Sequence, residues 1–257
     1  MIPGNVITAW SNEHPWPGQQ QIEQDLLLSK AMCEIANDSL LCEDLALRGG
    51  TALHKLIMPK PYRYSEDLDY VRTKEGGIGE VMTRLTSLGQ ELGFSVKTRL
   101  GMFPKVLWRF RAANGVPAKI KIEINTNERI PVYGFNYVEH MVETEYYTGK
   151  AKIRTFFLEE LMATKIRALY QRSKGRDLYD LWMSLEAMKA DAGKIIEAFS
   201  YYRPDGLQGD IIVRNLREKM LDSMFVEDTY DLLRNDAPKY VPEEAGKMVI
   251  SELLSAL

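Results

Sequence analysis

The chain has 257 residues, 45% of them apolar and 27% charged, which is the composition of an ordinary globular protein of one or two domains. Its 33 basic and 36 acidic residues give a formal net charge of −3, which argues against a globally basic nucleic-acid binder and leaves only a local basic patch open. Two cysteines are too few for a disulfide framework, and no apolar run is long enough to span a membrane. The first residues also lack the pattern of a signal peptide, so the sequence predicts a cytoplasmic protein.

Apolar spacing and turn residues predict alternating helices and strands in the first part of the chain. The stretch before residue 18 is rich in proline and glycine and is expected to form an irregular arm. Glycine is favoured just after a helix, so Gly93 is expected to end the last helix of this part. The other predictions are, in chain order, a helix over about 18–40, a strand over 45–47, a short helix that Pro59 ends, a strand over 68–71 and a helix over 79–93.

Strands and then a long helical region are predicted in the rest of the chain. A turn at 113–115 (ANG) is typical of a hairpin, and from Leu158 almost to the end the apolar spacing is that of helices. The sequence thus predicts an α+β protein, with a mixed sheet and flanking helices at 1–155 and a helical domain at 156–257. The three strands predicted here cover 94–100, 105–111 and 118–125.

A strand–Gly-Gly–helix junction, RGGTAL at 48–53, is the first candidate site. Glycines allow a backbone to approach a phosphate closely, and a helix N-terminus adds free N–H groups. Gly49, Gly50 and Thr51 are therefore candidates for seating a phosphate. A tight turn that needs a positive φ is the alternative explanation of the same residues.

A pair of carboxylates, in SEDLDY at 65–70, is the second candidate. Alternate side chains of a strand point to the same face, so Asp67 and Asp69 are expected to project together while Leu68 packs beneath them. Two such carboxylates can share Mg²⁺, which prefers oxygen ligands and often takes only one or two carboxylates plus substrate phosphates. An acidic surface turn is the alternative explanation.

A strand with alternating isoleucines, KIKIEIN at 119–125, is the third candidate. The isoleucines form the packed face, which leaves Lys119, Lys121 and Glu123 together on the other face. Glu123 is a candidate third carboxylate for the metal, with the lysines near phosphate. An ordinary solvated strand face explains the pattern equally well.

The helix that begins near Leu158 carries a lysine where an apolar residue is expected. The apolar residues of this helix form one stripe, and Lys165 falls in the middle of it. A lysine that points at a core is costly unless it meets a carboxylate or a phosphate. The alternative is a snorkelling lysine whose amine reaches water.

The next helix contains two aspartates, in RDLYDL at 176–181. On a helical wheel, Asp177 lies at the edge of the apolar stripe, whereas Asp180 lies further round toward solvent. Asp177 is therefore the better candidate to face a site, where it would orient Lys165 or accept a proton. Which of the two is the functional acid is left open.

The order of these motifs resembles the polymerase-β-type nucleotidyltransferase superfamily: Gly-Gly before a helix, then D-x-D, then an acid on a later strand. Three segments, LRGGTAL at 47–53, YSEDLDY at 64–70 and RDLYDL at 176–181, are similar to the AbiEii toxins of bacterial abortive-infection and type IV toxin–antitoxin systems. The resemblance covers roughly residues 20–190. The segment between Gly50 and Asp67 is longer than in most members of the superfamily.

The resemblance implies a polymerase-β-type fold for the α+β half and Mg²⁺- or Mn²⁺-dependent nucleotidyl transfer from a nucleoside triphosphate (NTP). Asp67 and Asp69 are expected to hold the metal, with Glu123 as a third ligand or a base. Lys165, which corresponds to an active-site lysine of AbiEii-like proteins, is expected to offset charge on the triphosphate, with Asp177 beside it. The residues expected to bind the nucleotide are Gly49, Gly50, Thr51, Arg63, Ser65, Lys174 and Arg176.

The resemblance also implies partners. The acceptor is expected to be a tRNA or a protein hydroxyl, gripped through a local basic surface that includes Arg109, Arg111, Lys119 and Lys121. An antitoxin is expected to be encoded beside the toxin and need not bind it. The rival hypothesis is a nucleotide sensor or partner-binding module that transfers nothing; metal-dependent release of pyrophosphate distinguishes the two.

Overall fold

The computed structural model describes residues 2–257 and divides into two compact units. The first, the sheet unit, runs up to Pro131 and resumes at Phe135–Phe156; the second, the helical unit, comprises Val132–Gly134 and Phe157–Leu257. Among the residues described, no helix is long and apolar enough to cross a membrane.

The sheet unit contains seven strands and five helices in chain order. They are α1 (Gly4–Glu13), α2 (Gln19–Asn37), α3 (Leu41–Asp44), β1 (Leu45–Arg48), α4 (Gly49–Ala52, continued by a π-helical turn over Leu53–Ile57), β2 (Asp67–Arg72), α5 (Gly79–Glu91), β3 (Ser95–Arg99), β4 (Lys105–Arg111), β5 (Pro117–Asn125), β6 (Phe135–Glu143) and β7 (Thr148–Phe156).

All seven strands form one mixed sheet in the order β3-β4-β5-β2-β1-β7-β6. Strand β2 is antiparallel to β1 and parallel to β5, so the carboxylates of β2 lie between these two strands. The predicted α+β class is confirmed. Strands β6 and β7 have no counterpart in the sequence prediction. In β6 only Val142 is buried, so its pattern is weak, whereas the alternation of Ala151 and Ile153 with charged residues in β7 is a signal that the prediction missed.

The sheet packs its apolar face against helices α2 and α5. The alternation predicted for β5 is confirmed, since Ile120, Ile122 and Ile124 are fully buried in this core. Nε1 of Trp108 donates to the carbonyl of Leu85 at 3.0 Å, which ties β4 to α5. The packed face leaves the opposite face of β2 and β5 to the polar residues.

The predicted irregular arm is wrong, because residues 4–13 form helix α1. Val6, Ile7 and Trp10 recur at helical spacing and are buried in the core of the sheet unit. Nε1 of Trp10 also donates to Oδ2 of Asp25 at 2.9 Å. Tertiary burial of one apolar face thus stabilises a helix that the local proline and glycine content argues against.

The helical unit consists of six α-helices and two short 3₁₀ turns. Residues 132–134, which the sequence analysis places in the first domain, belong to this unit, because Glu160 accepts hydrogen bonds from the backbone N–H groups of Val132 and Tyr133 at 2.7 and 3.2 Å. The helices are α6 (Leu158–Gln171), α7 (Gly175–Glu186), α8 (Ala192–Tyr202), α9 (Gly209–Lys219), α10 (Ser223–Glu227) and α11 (Pro242–Glu252), with 3₁₀ turns at Tyr230–Leu232 and Leu254–Ala256.

Candidate active site

Strand β1 ends in a Gly-Gly turn against which side chains of other segments pack directly. Gly49 has a φ of +76°, and a Cβ built on it would lie 2.6 Å from Oδ2 of Asp69. A Cβ on Gly50 would lie 2.7 Å from Nη2 of Arg63 and 2.8 Å from Oγ of Ser65. Glycine is therefore required at both positions, because any larger residue would displace these side chains.

Thr51 and Arg63, two of the residues predicted to bind nucleotide, are buried beside this turn. Oγ1 of Thr51 lies 2.5 Å from the carbonyl oxygen of Asp67 and 3.0 Å from Oγ of Ser65. Nη1 of Arg63 donates to the carbonyl of Tyr64 at 2.8 Å. Because only 1% and 2% of these residues are exposed, their contacts position the turn and the first residues of β2.

The register of the sheet brings the three predicted carboxylates together. Asp69 is paired with Arg48 of β1 on one side and with Glu123 of β5 on the other. Asp67 is paired with Lys121 two residues earlier along the same strands. Alternation places all these side chains on the face opposite the isoleucines.

Asp67, Asp69 and Glu123 form an acidic row, and two lysines bind two of its carboxylates. Nζ of Lys121 lies 2.7 Å from Oδ2 of Asp67 and 3.7 Å from Oε2 of Glu123. Nζ of Lys105, on β4, lies 2.8 Å from the same oxygen of Glu123. Asp67 and Glu123 therefore form ion pairs within the sheet. The sequence spacing did not indicate that Lys105 takes part.

The electrostatics of Asp69 differ from those of an ordinary surface aspartate. Desolvation and the negative charge of Asp67 raise the pKa of Asp69, although Arg48 and Lys121 oppose the rise. Desolvation lowers the pKa of Lys121, but the hydrogen bond and charge of Asp67 outweigh it, so the net pKa of Lys121 is raised. The ionised form of Asp69 is thus only partly compensated by its own chain.

The donor chemistry of β2 fits a hard divalent cation. Across residues 2–257, no three His, Cys, Asp or Glu residues are grouped closely enough to hold a metal ion. Asp67 and Glu123 are both bound to lysine ammonium groups. Mg²⁺ commonly binds one or two carboxylates and completes its coordination shell with substrate phosphates and water. Asp67 and Asp69, whose negative charge is only partly compensated, would therefore be enough protein ligands for it.

The helical unit contains a second charged cluster, and all its acids are buried. Nζ of Lys165 lies 2.9 Å from Oδ1 of Asp177 and 2.7 Å from Oδ2 of Asp180. Arg172 binds Asp177 through both Nε and Nη2, at 2.7 and 2.9 Å. Burial raises the pKa of Asp177, but Lys165 and Arg172 outweigh it and hold the pKa below its ordinary value.

The prediction that Asp180 lies toward solvent is wrong. Asp180 is fully buried and binds Lys165, as Asp177 does. A helical wheel assumes one buried face, whereas α7 packs against both α6 and α11, so Leu178, Tyr179 and Leu181 are fully buried as well. Both aspartates therefore contact the lysine, so this contact does not distinguish them, and the choice of Asp177 as the functional acid stays a prediction.

The basic loop before α7 is held by an aspartate that the sequence analysis overlooked. Nζ of Lys174 lies 3.2 Å from Oδ1 of Asp228, and the backbone N–H of Arg176 donates to Oδ2 of Asp228 at 3.3 Å. Gly175 between them is required, since a Cβ there would lie 2.0 Å from the carbonyl oxygen of Phe225. Lys174 and Arg176, both predicted to bind nucleotide, thus form part of a loop with a defined structure.

Lys219 is a further residue that the sequence analysis missed. Its Nζ donates to the carbonyls of Tyr170 and Arg172 at 2.8 and 3.0 Å and also to the carbonyl of Leu169. These are the free carbonyls at the C-terminal end of α6, where a cation is favoured by the helix dipole. No local pattern signals this role, because Lys219 and Arg172 are 47 residues apart in sequence.

Residues 30–246 match the family model described as "Nucleotidyl transferase AbiEii toxin, Type IV TA system". No curated protein matched the sequence.

Several solved structures resemble the chain, and two of them are described here. MenT4, a nucleotidyltransferase toxin from Mycobacterium tuberculosis H37Rv, has a TM-score of 0.69 and 16% identity, and the match covers 100% of this chain and 91% of MenT4. An antigenic nucleotidyltransferase-like protein from Paracoccidioides brasiliensis has a TM-score of 0.44 and 17% identity, covering 77% of this chain and 94% of that protein. The first likeness shows a shared fold, while the second is too distant to support an argument.

The family model spans most of the chain, and its range includes the residues of both charged clusters. The chain belongs to the AbiEii family of nucleotidyltransferase toxins of type IV toxin–antitoxin systems.

Proposed function

We propose that this nucleotidyltransferase requires Mg²⁺ or Mn²⁺ and moves a nucleoside monophosphate from an NTP to a hydroxyl group of an RNA, with tRNA as the first candidate, or of a protein. The observation that carries the proposal is the register of the sheet. It places Asp69 directly beside Glu123 and against the backbone of Gly49. The carboxylates and the Gly-Gly turn are therefore adjacent.

Residues of the sheet unit supply most of the proposed chemistry. Asp67 and Asp69 would hold the cation, which when bound offsets the charge of the triphosphate. The acceptor hydroxyl oxygen attacks the α-phosphorus, the bond from that phosphorus to the bridging oxygen breaks, and pyrophosphate leaves. Glu123 receives the hydroxyl proton. Gly49 and Gly50 seat the triphosphate, and reaction depends on positioning and electrostatics.

We assign Lys165 of the helical unit to the developing charge on the triphosphate. A buried lysine held by two buried aspartates is a preorganised cation, because its ammonium group needs no reorientation. Asp177 and Asp180 hold that ammonium group in place. Lys174 and Arg176 remain candidates for contacts with the nucleotide from the loop before α7.

The chemical class of the acceptor is inferred from the positive charge on the surface of β4 and β5. Arg109 and Lys119 are a directly paired, exposed couple on β4 and β5, and Arg111 lies two residues further along β4. A chain with a net charge of −3 needs such a local patch to hold a polyanion, which favours RNA over a protein acceptor. The family also implies an antitoxin, which we propose is encoded beside this toxin and does not need to bind it in the cytoplasm.

The first experiment is transfer of label from each of the four α-labelled NTPs, with Mg²⁺, into total tRNA and into cell protein. We expect label in one acceptor class with wild type and none with Asp67→Ala or Lys165→Ala. Glu139→Ala and Lys150→Ala are matched controls, since this pair lies exposed on β6 and β7. Nucleotide binding without any label in either fraction would favour the sensor hypothesis instead.

A further inference from the structure

Asp67, assigned above to the metal, is bound to an ammonium group of its own chain. Nζ of Lys121 lies 2.7 Å from Oδ2 of Asp67. The two residues stand directly opposite each other on parallel neighbouring strands, so the pairing follows from the register of β2 and β5. This ion pair is thus a built-in feature of the sheet.

The ion pair and a divalent cation cannot share Asp67 without strong repulsion. Two positive charges a few ångströms apart repel strongly, because the effective dielectric constant near a protein surface is well below that of water. The side chains of Lys121 and Asp67 are 29% and 30% exposed. The lysine stem can therefore rotate away from Asp67 without unfolding any strand.

Because of Lys105, the departure of Lys121 affects the ion pairing of Asp67 more than that of Glu123. Its ammonium group binds Glu123 at 2.8 Å, whereas Lys121 is 3.7 Å from the same carboxylate. If Lys121 leaves, Glu123 keeps the ammonium group of Lys105, whereas Asp67 loses its ion pair with Lys121.

We propose that Lys121 is the resident counter-ion of Asp67, that a divalent cation displaces it from this carboxylate, and that the released ammonium group then binds a phosphate of the incoming NTP. The inference rests on the proposed function and adds a residue to it. A lysine suits the exchange, because its ammonium group is a compact point charge on a flexible stem and carries three donors for phosphate oxygens.

The test measures metal binding and turnover separately. Mn²⁺ is titrated into the full chain without nucleotide and followed by electron paramagnetic resonance, and the KM for the NTP is measured in the transfer assay. We expect Lys121→Gln to bind Mn²⁺ about tenfold more tightly than wild type, because the competing charge is gone. The same variant is expected to show a KM for the NTP raised several-fold, because a phosphate ligand is gone.

Three variants make the result interpretable. Lys119→Gln removes the same charge from the same face of β5 and is expected to change Mn²⁺ affinity less than about twofold, because separated surface charges are screened. Lys121→Arg restores a cation and is expected to return Mn²⁺ affinity toward that of wild type. Asp67→Asn is expected to weaken Mn²⁺ binding in every background, which shows that the signal comes from this carboxylate.

The outcomes separate this inference from the proposed function. Mn²⁺ affinity of Lys121→Gln equal to or weaker than that of wild type overturns the exchange, whatever the transfer assay shows. A tighter affinity with an unchanged KM overturns the phosphate contact alone. Absence of transfer by wild type contradicts the proposed function, yet leaves the competition between Lys121 and Mn²⁺ measurable.

Discussion

The two charged clusters of this toxin are built from similar residues but in different surroundings. On the sheet, Asp67 and Lys121 pair across neighbouring strands with nearly a third of each side chain exposed. In the helical unit, Lys165 pairs with Asp177 and Asp180, whose side chains are fully buried. The sheet pair can exchange partners at small cost, whereas the helical cluster has one stable arrangement.

This difference suits different tasks in nucleotidyl transfer. A site that admits a cation and a triphosphate needs carboxylates whose present partners can leave. A group that stabilises charge in the transition state works best when it is already oriented. The comparison therefore predicts that the two clusters respond differently to substitution.

The largest effect is expected from removing a buried acid. Asp177→Ala leaves Lys165 and Arg172 without this carboxylate and should destabilise the helical unit by about 3–5 kcal/mol. The matched change Asp67→Ala in the exposed pair should cost less than about 1 kcal/mol. Guanidinium unfolding measures both, and hydrogen exchange of α7 amides localises the first. Equal costs would contradict the comparison.

The second effect concerns the Gly-Gly turn. Gly49→Ala combines a φ of +76° with a Cβ 2.6 Å from Oδ2 of Asp69, so transfer should fall about 10²-fold as Asp69 is displaced. Gly115→Ala is the control, since Gly115 has a φ of +80° with nothing within 4 Å. Both variants should lose about 1–2 kcal/mol of stability from backbone strain. Loss of transfer in both would mean that strain alone explains the first result.

A smaller effect is expected at the end of α6. Lys219→Met removes the donor to three carbonyls there and should lower the unfolding free energy by about 1–2 kcal/mol. Lys247→Met on α11 is the control, because this lysine is exposed and pairs only with Glu243 one turn away. Thermal unfolding and hydrogen exchange of the last turn of α6 provide the measurement. An unchanged α6 would show that the cap is not needed.

The smallest expected effect is on the pH dependence of stability, to which Asp69 and Asp177 should contribute with opposite signs. The pKa of Asp69 is raised on folding, so its contribution to stability is present below the ordinary value of 3.8 and is lost as pH rises through the folded pKa. Asp69→Asn should therefore be slightly more stable than wild type at neutral pH and equal to it in acid.

Asp177 should behave in the opposite way. Its folded pKa lies below the ordinary value of 3.8, so its contribution is present above that value and is lost as pH falls through the folded pKa. Asp177→Asn should therefore lose stability at neutral pH and approach wild type in acid. Denaturant unfolding of both variants at a series of pH values from about 3 to 7 checks the two signs, because carboxyl groups ordinarily titrate within this range. The same sign in both would refute the contrast.

Local sequence pattern predicted the elements in which one face is apolar and the other polar. The isoleucines of β5 require Lys121 and Glu123 to share the opposite face, and the stripe of α6 places Lys165 against the core. Both positions agree with the structure, because strand and helix periodicity are properties of the chain itself. The order of the motifs was likewise enough to predict the AbiEii family.

Pairing between distant segments was beyond the sequence. The burial of Arg63 against Gly50, the cap that Lys219 adds to α6 and the ion pair between Lys121 and Asp67 depend on strand register and helix packing. The same cause accounts for Asp180, which a helix packed on two sides buries, and for α1, which forms because the core covers Trp10.

The sequence by itself determined which faces carry the candidate groups: the acids, the glycines and the lysine are encoded with a spacing that places them on defined faces. The tertiary structure alone decided which of these groups are exchangeable and which are locked in place. The physical reason is that exposure to water is set by what packs against an element. Lysine–aspartate ion pairs are therefore exchangeable where they are exposed on the sheet and fixed where they are buried among the helices.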